Sequence, residues 1–292
     1  MRRRLVLISV FGLSLLATRV LGQTAYPFSP ANYIGGDPHV LRIFPPTGAA
    51  IQVPLPFALG RVAFGSDGKA LYVARDRLLK IEFNPVRMST VPGTEGFDTS
   101  GLAVSQRQDM ILISGAHTQD HRRVCGLFEV KTLDGSLRQV LTSSGCDYVS
   151  AWTEISLSPA AEQAVALHNR RFEMIDLVRA TTRPLDANFW AAEWSPDGKW
   201  IAALAGEESQ LWLVDPSDLS RRRDLGKTGG GVHWSPDSRY LLLFADSLLC
   251  NIEDRYSMET LEVASGKRSV VKSSRCQIVG AASGWMSADI AR

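Results

Sequence analysis

Two histidines and an aspartate stand within five residues at His117-Thr118-Gln119-Asp120-His121, followed at once by Arg122 and Arg123. Imidazole and carboxylate at that density can hold a divalent cation, and the whole run can make polar contacts to a partner. A closed metal site needs a third or fourth ligand, and the neighbouring residues offer none. No metal and no cofactor is therefore assigned, and contact to a partner is the better use of these side chains. Serine hydrolase chemistry is disfavoured because the chain has no Gly-x-Ser-x-Gly elbow.

The elements that would position this run are set by a repeat. Trp194-Ser195-Pro196-Asp197-Gly198-Lys199-Trp200 and Trp234-Ser235-Pro236-Asp237-Ser238-Arg239-Tyr240 are its clearest copies, each followed by an apolar run. Phe64-Gly65-Ser66-Asp67-Gly68-Lys69 is a third copy, and Val104 to Ile113 and Leu157 to Ala166 are degenerate ones. The first residues fall at 64, 104, 157, 194 and 234, a recurrence near 40. Short strands and turns at that period are the signature of a propeller blade. Ser-Pro-Asp-Gly is turn chemistry, so Asp67, Asp197 and Asp237 are assigned to turn bonding rather than catalysis. The continuous apolar runs after the turns suit strands covered on both faces. Trp194, Trp200, Trp212 and Trp234 recur at strand positions and read as core, whereas Trp190 and Trp285 are left open.

The ends complete the pattern. Residues 39–44 and 50–54 read as a third and fourth strand with no first strand before them, and Gln277 to Trp285 reads as a first strand. The expectation is an all-β, six-bladed β-propeller of four-stranded antiparallel blades, closed by a blade shared between the two termini. The repeat resembles that of TolB-like propellers of bacterial envelopes, which carry a Trp-Ser-Pro-Asp-Gly-Lys core. That resemblance implies a propeller domain and says little about activity.

Residues 1–22 are set aside from the fold. Arg2, Arg3 and Arg4 precede an apolar stretch from Leu5 to Ala17, and Val20-Leu21-Gly22 suits a peptidase, so Gln23 is expected to begin the mature chain. The alternative is an uncleaved N-terminal anchor. Residues 23–292 are expected to form a single propeller domain, with no membrane span after removal of the signal and a periplasmic or secreted location. Loss of Arg2, Arg3, Arg4 and Arg19 leaves 28 basic against 30 acidic residues. Such a balance argues against a nucleic-acid partner. The Arg221-Arg222-Arg223 run, between Asp218 and Asp224, reads as a solvated outer strand. A monomer is expected.

Four cysteines in an exported chain point to two disulfides. Cys125 and Cys146 bracket the outer strands of the second unit, and Cys250 and Cys276 those of the fifth, which favours Cys125–Cys146 and Cys250–Cys276. The alternative is four reduced, buried thiols. Both bridges would stiffen the face that carries the second-to-third strand connections, the longest of which read as Gly115 to Val124 and Ala245 to Ser257. A protein or other envelope component is the expected partner, bound there by His117, His121, Arg122, Arg123, Tyr148 and Arg255. The function read from the sequence is thus an exported, non-catalytic binding or scaffolding propeller. The alternative is a propeller enzyme, a lyase or hydrolase, with a site at the central channel. Its candidates are His39, His168 and His233, the last one residue before Trp234 on an inner strand.

Overall fold

The computed structural model describes the backbone of residues 23–29, 39–43, 51–58, 60–65, 69–83, 85–119, 121–147, 149–186, 188–229, 231–244, 255–275 and 282–287. Every regular element among them is a strand. Blade 1 holds β4 (Arg61–Phe64), β5 (Ala70–Ala74), β6 (Leu78–Glu82) and β7 (Arg87–Thr90), preceded by β1 (Gln23–Ser29), β2 (Val40–Ile43) and β3 (Ile51–Pro54). Blade 2 holds β8 (Phe97–Val104), β9 (Met110–Gln119), β10 (Arg122–Lys131) and β11 (Leu137–Thr142). Blade 3 holds β12 (Thr153–Leu157), β13 (Gln163–His168), β14 (Arg171–Asp176) and β15 (Thr181–Asp186). Blade 4 holds β16 (Phe189–Trp194), β17 (Ile201–Ala205), β18 (Gln210–Val214) and β19 (Arg222–Lys227). Blade 5 holds β20 (Val232–Trp234), β21 (Tyr240–Phe244), β22 (Arg255–Glu262) and β23 (Arg268–Arg275), and β24 (Ala282–Ser287) follows it. All pairings are antiparallel, in chain order from the first strand of each blade to the fourth.

The expectation of six blades is corrected here to five blades of four consecutive strands. The remaining four-stranded sheet is of another kind, with the order β24-β1-β2-β3. Gln23 to Phe28 pairs with Ser287 to Ala282, and β24 lies against both β20 and β4. The sequence pattern marks no strand over residues 23–29, yet they supply the second strand of this sheet. The reason is physical: its first and second strands are not joined by a turn, so the Ser-Pro-Asp-Gly signal that marks each blade has no place in it.

Why the repeat looks as it does is visible in its serines. Ser105, Ser158, Ser195 and Ser235 are buried, and each accepts at Oγ the main-chain N–H five residues on, from Met110, Gln163, Trp200 and Tyr240. Three of them also donate to an aspartate, Ser105 to Asp109, Ser195 to Asp197 and Ser235 to Asp237. The hydroxyl therefore closes the turn and opens the second strand. Residue four of each turn is left-handed: Gln108, Ala161, Gly198 and Ser238. At that point neighbouring blades touch, with Asp197 N–H donating to Ser238 Oγ at 2.9 Å.

Each core is an interface between sheets. Tyr72, Phe97, Ile111 and Phe128 pack blade 1 on blade 2, and Trp194, Phe172, Val165 and Ile201 pack blade 3 on blade 4. Trp194 and Trp234 are buried as expected, whereas Trp200 and Trp212 are half-buried at the edges of these clusters. An outer seam adds to the packing. Arg138, Arg183 and Arg223 hold one register position in three successive fourth strands, and each donates to a carbonyl of the next blade: Leu177, Pro216 and Ala264, at 3.3 to 3.4 Å. Between blades 1 and 2 the seam is backbone on backbone instead. A Cβ on Gly93 would meet the Gly135 carbonyl at 2.1 Å, so that junction admits no side chain.

Candidate functional site: a disulfide-pinned loop face

In every blade the turns between first and second strands, and between third and fourth, lie at one end. The second-to-third hairpins and the blade-to-blade connections lie at the other, which forms the loop face. The sequence pattern reads residues 115–124 there as a long connection, but residues 115–119 and 122–124 are strand. β9 and β10 run ten residues each, against five or six for their counterparts in blades 1, 3 and 4. Four or five extra residues at about 3.3 Å apiece carry the hairpin roughly 15 Å farther. Pairing holds to its end, Gln119 opposite Arg122, and His121 takes a left-handed φ of 62°.

The hairpin separates the expected contact residues. His121, Arg122 and Arg123 are exposed at its tip, and Arg123 forms an ion pair with Asp98 at 2.8 Å. His117 turns inward instead. Its ring stacks on Phe97 at 4.5 Å and meets Phe128 edge-on at 6.1 Å. Burial draws its pKa below the ordinary histidine value, offset in part by a hydrogen bond to the Glu95 main chain. Asp120 and Tyr148 lie outside the described residues, as does the side chain of Arg255, whose backbone opens β22. Among the described residues no group of three His, Cys, Asp or Glu is placed to hold a metal ion.

The stacking of His117 belongs to a series that sequence reasoning missed. An aromatic residue stands just before or at the start of the first strand, and a cationic or imidazole side chain from the second-to-third hairpin covers it. The pairs are Arg77 over Phe57 at 6.0 Å, His117 on Phe97, and His168 on Trp152 at 4.3 Å. Phe57, Phe97 and Trp152 are buried, so these contacts seat each hairpin on its blade. The signal that could have found them is an aromatic five or seven residues before the repeat.

Cys125 and Cys146 form a disulfide across 21 residues, with their Cα atoms 5.2 Å apart. It joins β10 to the connection that leads into blade 3. That connection is also stitched by Asp147, which accepts N–H bonds from Val149 and Ser150, and by Asn169 N–H donating to the Val149 carbonyl. The Ser150 bonds come first in holding the Asp147 carboxyl below the usual range. Cys250 and Cys276 lie outside the described residues.

A second constellation lines the channel. The residue before the repeat aromatic is Ala63, Ala103, Ser156, Glu193 or His233 in blades 1 to 5, so polar groups gather on one side. His233 Nδ1 lies 2.9 Å from Glu193 Oε2, while Glu193 Oε1 accepts the Trp234 N–H. Ser156 Oγ likewise accepts the Trp194 N–H from the next blade. Burial pulls the His233 pKa down, but the charge and hydrogen bond of Glu193, with the charge of Glu154, outweigh it and hold it above the ordinary value. His168 contacts Glu173 at 3.3 Å away from this group, and His39 is exposed. An acid and a base are thus in contact in the channel, and both carboxylate oxygens of Glu193 are already engaged.

Five four-stranded blades round a channel, with a terminal sheet beside them, define a β-propeller. Solved structures of that fold are similar to this chain. TolB from Acinetobacter baumannii has a TM-score of 0.63 at 12% identity, over 92% of this chain and 69% of its own. A putative TolB from Agrobacterium tumefaciens has a TM-score of 0.57 at 14% identity, over 86% and 88%. A chain of a nidogen/laminin complex has a TM-score of 0.61 at 11% identity, over 90% and 97%. No family model matches the chain, and no curated protein matches it. At these identities the likeness is one of fold.

Proposed function

We propose that this chain is an exported, non-catalytic propeller that binds another protein or an envelope component through its loop face. The observation that carries the reading is the β9–β10 hairpin, long, paired to its tip and tied at Cys125 to the neighbouring connection. A loop ordered before encounter loses less conformational entropy on binding, so stapling is useful where recognition occurs. Export is supported by the charged and apolar order of residues 1–22 and by the disulfide, a bond that persists mainly in oxidising compartments. Two of the similar propellers are TolB or putative TolB proteins and a third comes from a complex of nidogen with laminin, so protein contact is a use to which this fold is put.

The test is to replace residues 118–123 by a two-residue turn, with Asp98 retained, and to compare cross-linked capture from the envelope fraction. Loss of the captured protein from a variant that melts as a folded propeller is the expected result. Unchanged capture removes the loop face from the reading.

A channel enzyme is the second reading, favoured by the His233–Glu193 pair. It is the weaker one because Glu193 already bonds the Trp234 N–H and Ser156 the Trp194 N–H, which makes these groups ties between blades. Turnover of any lyase or hydrolase substrate that disappears in His233→Ala and survives loss of the hairpin would reverse that order.

A further inference from the structure

The second-to-third hairpins of blades 1, 2 and 3 end in arginine pairs: Arg75 and Arg77, Arg122 and Arg123, Arg170 and Arg171. All six side chains are exposed. The corresponding tip of blade 4 carries Glu207 and Glu208, so among the described hairpin tips the positive charge falls on blades 1 to 3. In a chain whose residues after the leader are close to charge balance, six arginines on three adjoining tips are a concentrated positive field. The tips are also physically continuous. The Gly96 and Thr99 N–H groups donate to the carbonyls of Asp76 and Arg75, which joins the blade 1 tip to β8. Asp98 on that strand pairs with Arg123 of the blade 2 tip. The Cys125–Cys146 connection then spans to blade 3, where Asn169 and Arg170 form a tight turn with φ of 49° and 63°.

Resting on the loop-face reading, we infer that this arc receives a carboxylate-rich peptide segment of a protein partner, laid across the hairpin tips of blades 1 to 3. The chemistry of the cations favours carboxylates. All six are arginine and none is lysine, and the planar guanidinium pairs with a carboxylate through two parallel N–H bonds. One member of the arc already pairs with a carboxylate, Arg123 donating one N–H bond to Asp98 at 2.8 Å. Carboxylates interleaved on the same surface, Asp76, Asp98 and Asp147, give it an alternation that a peptide can match residue by residue. An extended peptide turns alternate side chains away and so can set carboxylates on the arginines while sparing those points, which a flat anionic lipid surface cannot do.

The experiment is an anisotropy titration of the intact mature protein with a fluorescein-labelled deca-glutamate peptide and a deca-glutamine control. The deca-glutamate probe is expected to bind, the control not, and affinity should fall between about 20 and 150 mM salt as screening grows. Combined Arg122→Glu, Arg170→Glu and Arg171→Glu should weaken binding by about tenfold or more, because like charges then face the ligand. Arg107→Glu with Lys199→Glu and Lys267→Glu, an equal change on the opposite face, should leave it within about twofold, since those positions lie beyond a Debye length. No binding, or equal loss in the two triple variants, overturns the inference. So does arginine-dependent binding to phosphatidylglycerol-containing vesicles without peptide binding. The envelope capture separates the two levels. If the shortened hairpin loses the partner while the reversals and salt leave capture intact, the face stands and the acidic partner falls. If the shortened hairpin still captures it, the face reading falls too.

Discussion

The two ends of the blades are made from one chain and behave as opposites. At the turn end blades 2 to 5 solve the same problem in the same way, with a buried serine closing the turn and a left-handed fourth residue. At the loop end the hairpins differ in length, charge and covering aromatic, and a disulfide ties one of them. The contrast teaches that repetition here marks what holds the molecule together. Departure from repetition marks where the surface has been shaped for something outside it.

That contrast can be broken most strongly at the disulfide. Cys125→Ser with Cys146→Ser should lower the unfolding free energy by about 3 kcal/mol, from the loop entropy returned to the unfolded chain. Urea unfolding measures the loss, and hydrogen exchange should locate the loosened amides around 143–150 and the hairpin tip while the turns stay protected. Equal loosening at both ends would erase the distinction drawn here.

Next in size is the turn end. Ser195→Ala or Ser235→Ala removes the acceptor of a main-chain N–H and the partner of an aspartate, and each should cost about 2 kcal/mol. Partner capture per folded molecule should not change. If capture falls at constant stability, the turns do more than hold blades together.

Smaller again are the outer seams. Arg183→Met and Arg223→Met keep the stem and remove the donor, and each should cost about 0.5–1 kcal/mol, near the value of a single exposed hydrogen bond. Arg138→Met also strips the half-buried Glu129 of an ion-pair partner and should cost more. Differential scanning calorimetry of the triple variant should show a lower Tm in one transition. Resolution into two transitions would mean that blades 2 to 5 depend on these arginines for cooperativity.

The least effect expected near neutrality is at the channel. The folded pKa of His233 is raised, so its pairing with Glu193 contributes in full below the unfolded histidine pKa of about 6.5 and is lost as pH rises through the folded value. The stability difference between the wild type and Glu193→Gln should therefore shrink from pH 5.5 towards pH 8.5. A difference that is flat with pH would show the pair to be idle.

The turn end was legible because its serine, proline, aspartate and glycine are demanded by local backbone geometry, and local demands leave residues at fixed spacing. His233 could be placed on an inner strand for the same reason, one residue before Trp234. Glu193, its partner, sits one residue before Trp194, and the repeat alone would have paired them had its preceding position been compared across blades. Residues 115–124 were misread as loop because a ribbon with no core beneath its end carries polar residues on both faces, so apolar alternation stops at Ala116. Strand β1 escaped for a different reason. Its partner β24 lies at the other end of the chain, and no local pattern announces a pairing between segments so distant in sequence.

That last pairing has a bearing on how the molecule is made. Closing a loop costs entropy that grows only slowly with length, but the search for so remote a partner is slow. Five blades can form as successive hairpins while the chain emerges, each packing on the one before. The sheet of β1, β2 and β3 must wait for Ala282–Ser287 before its innermost strand is in place. Until then the exposed edges of β4 and β20 are unsealed, and the newly made chain is most open to proteases and to strand exchange with its own copies.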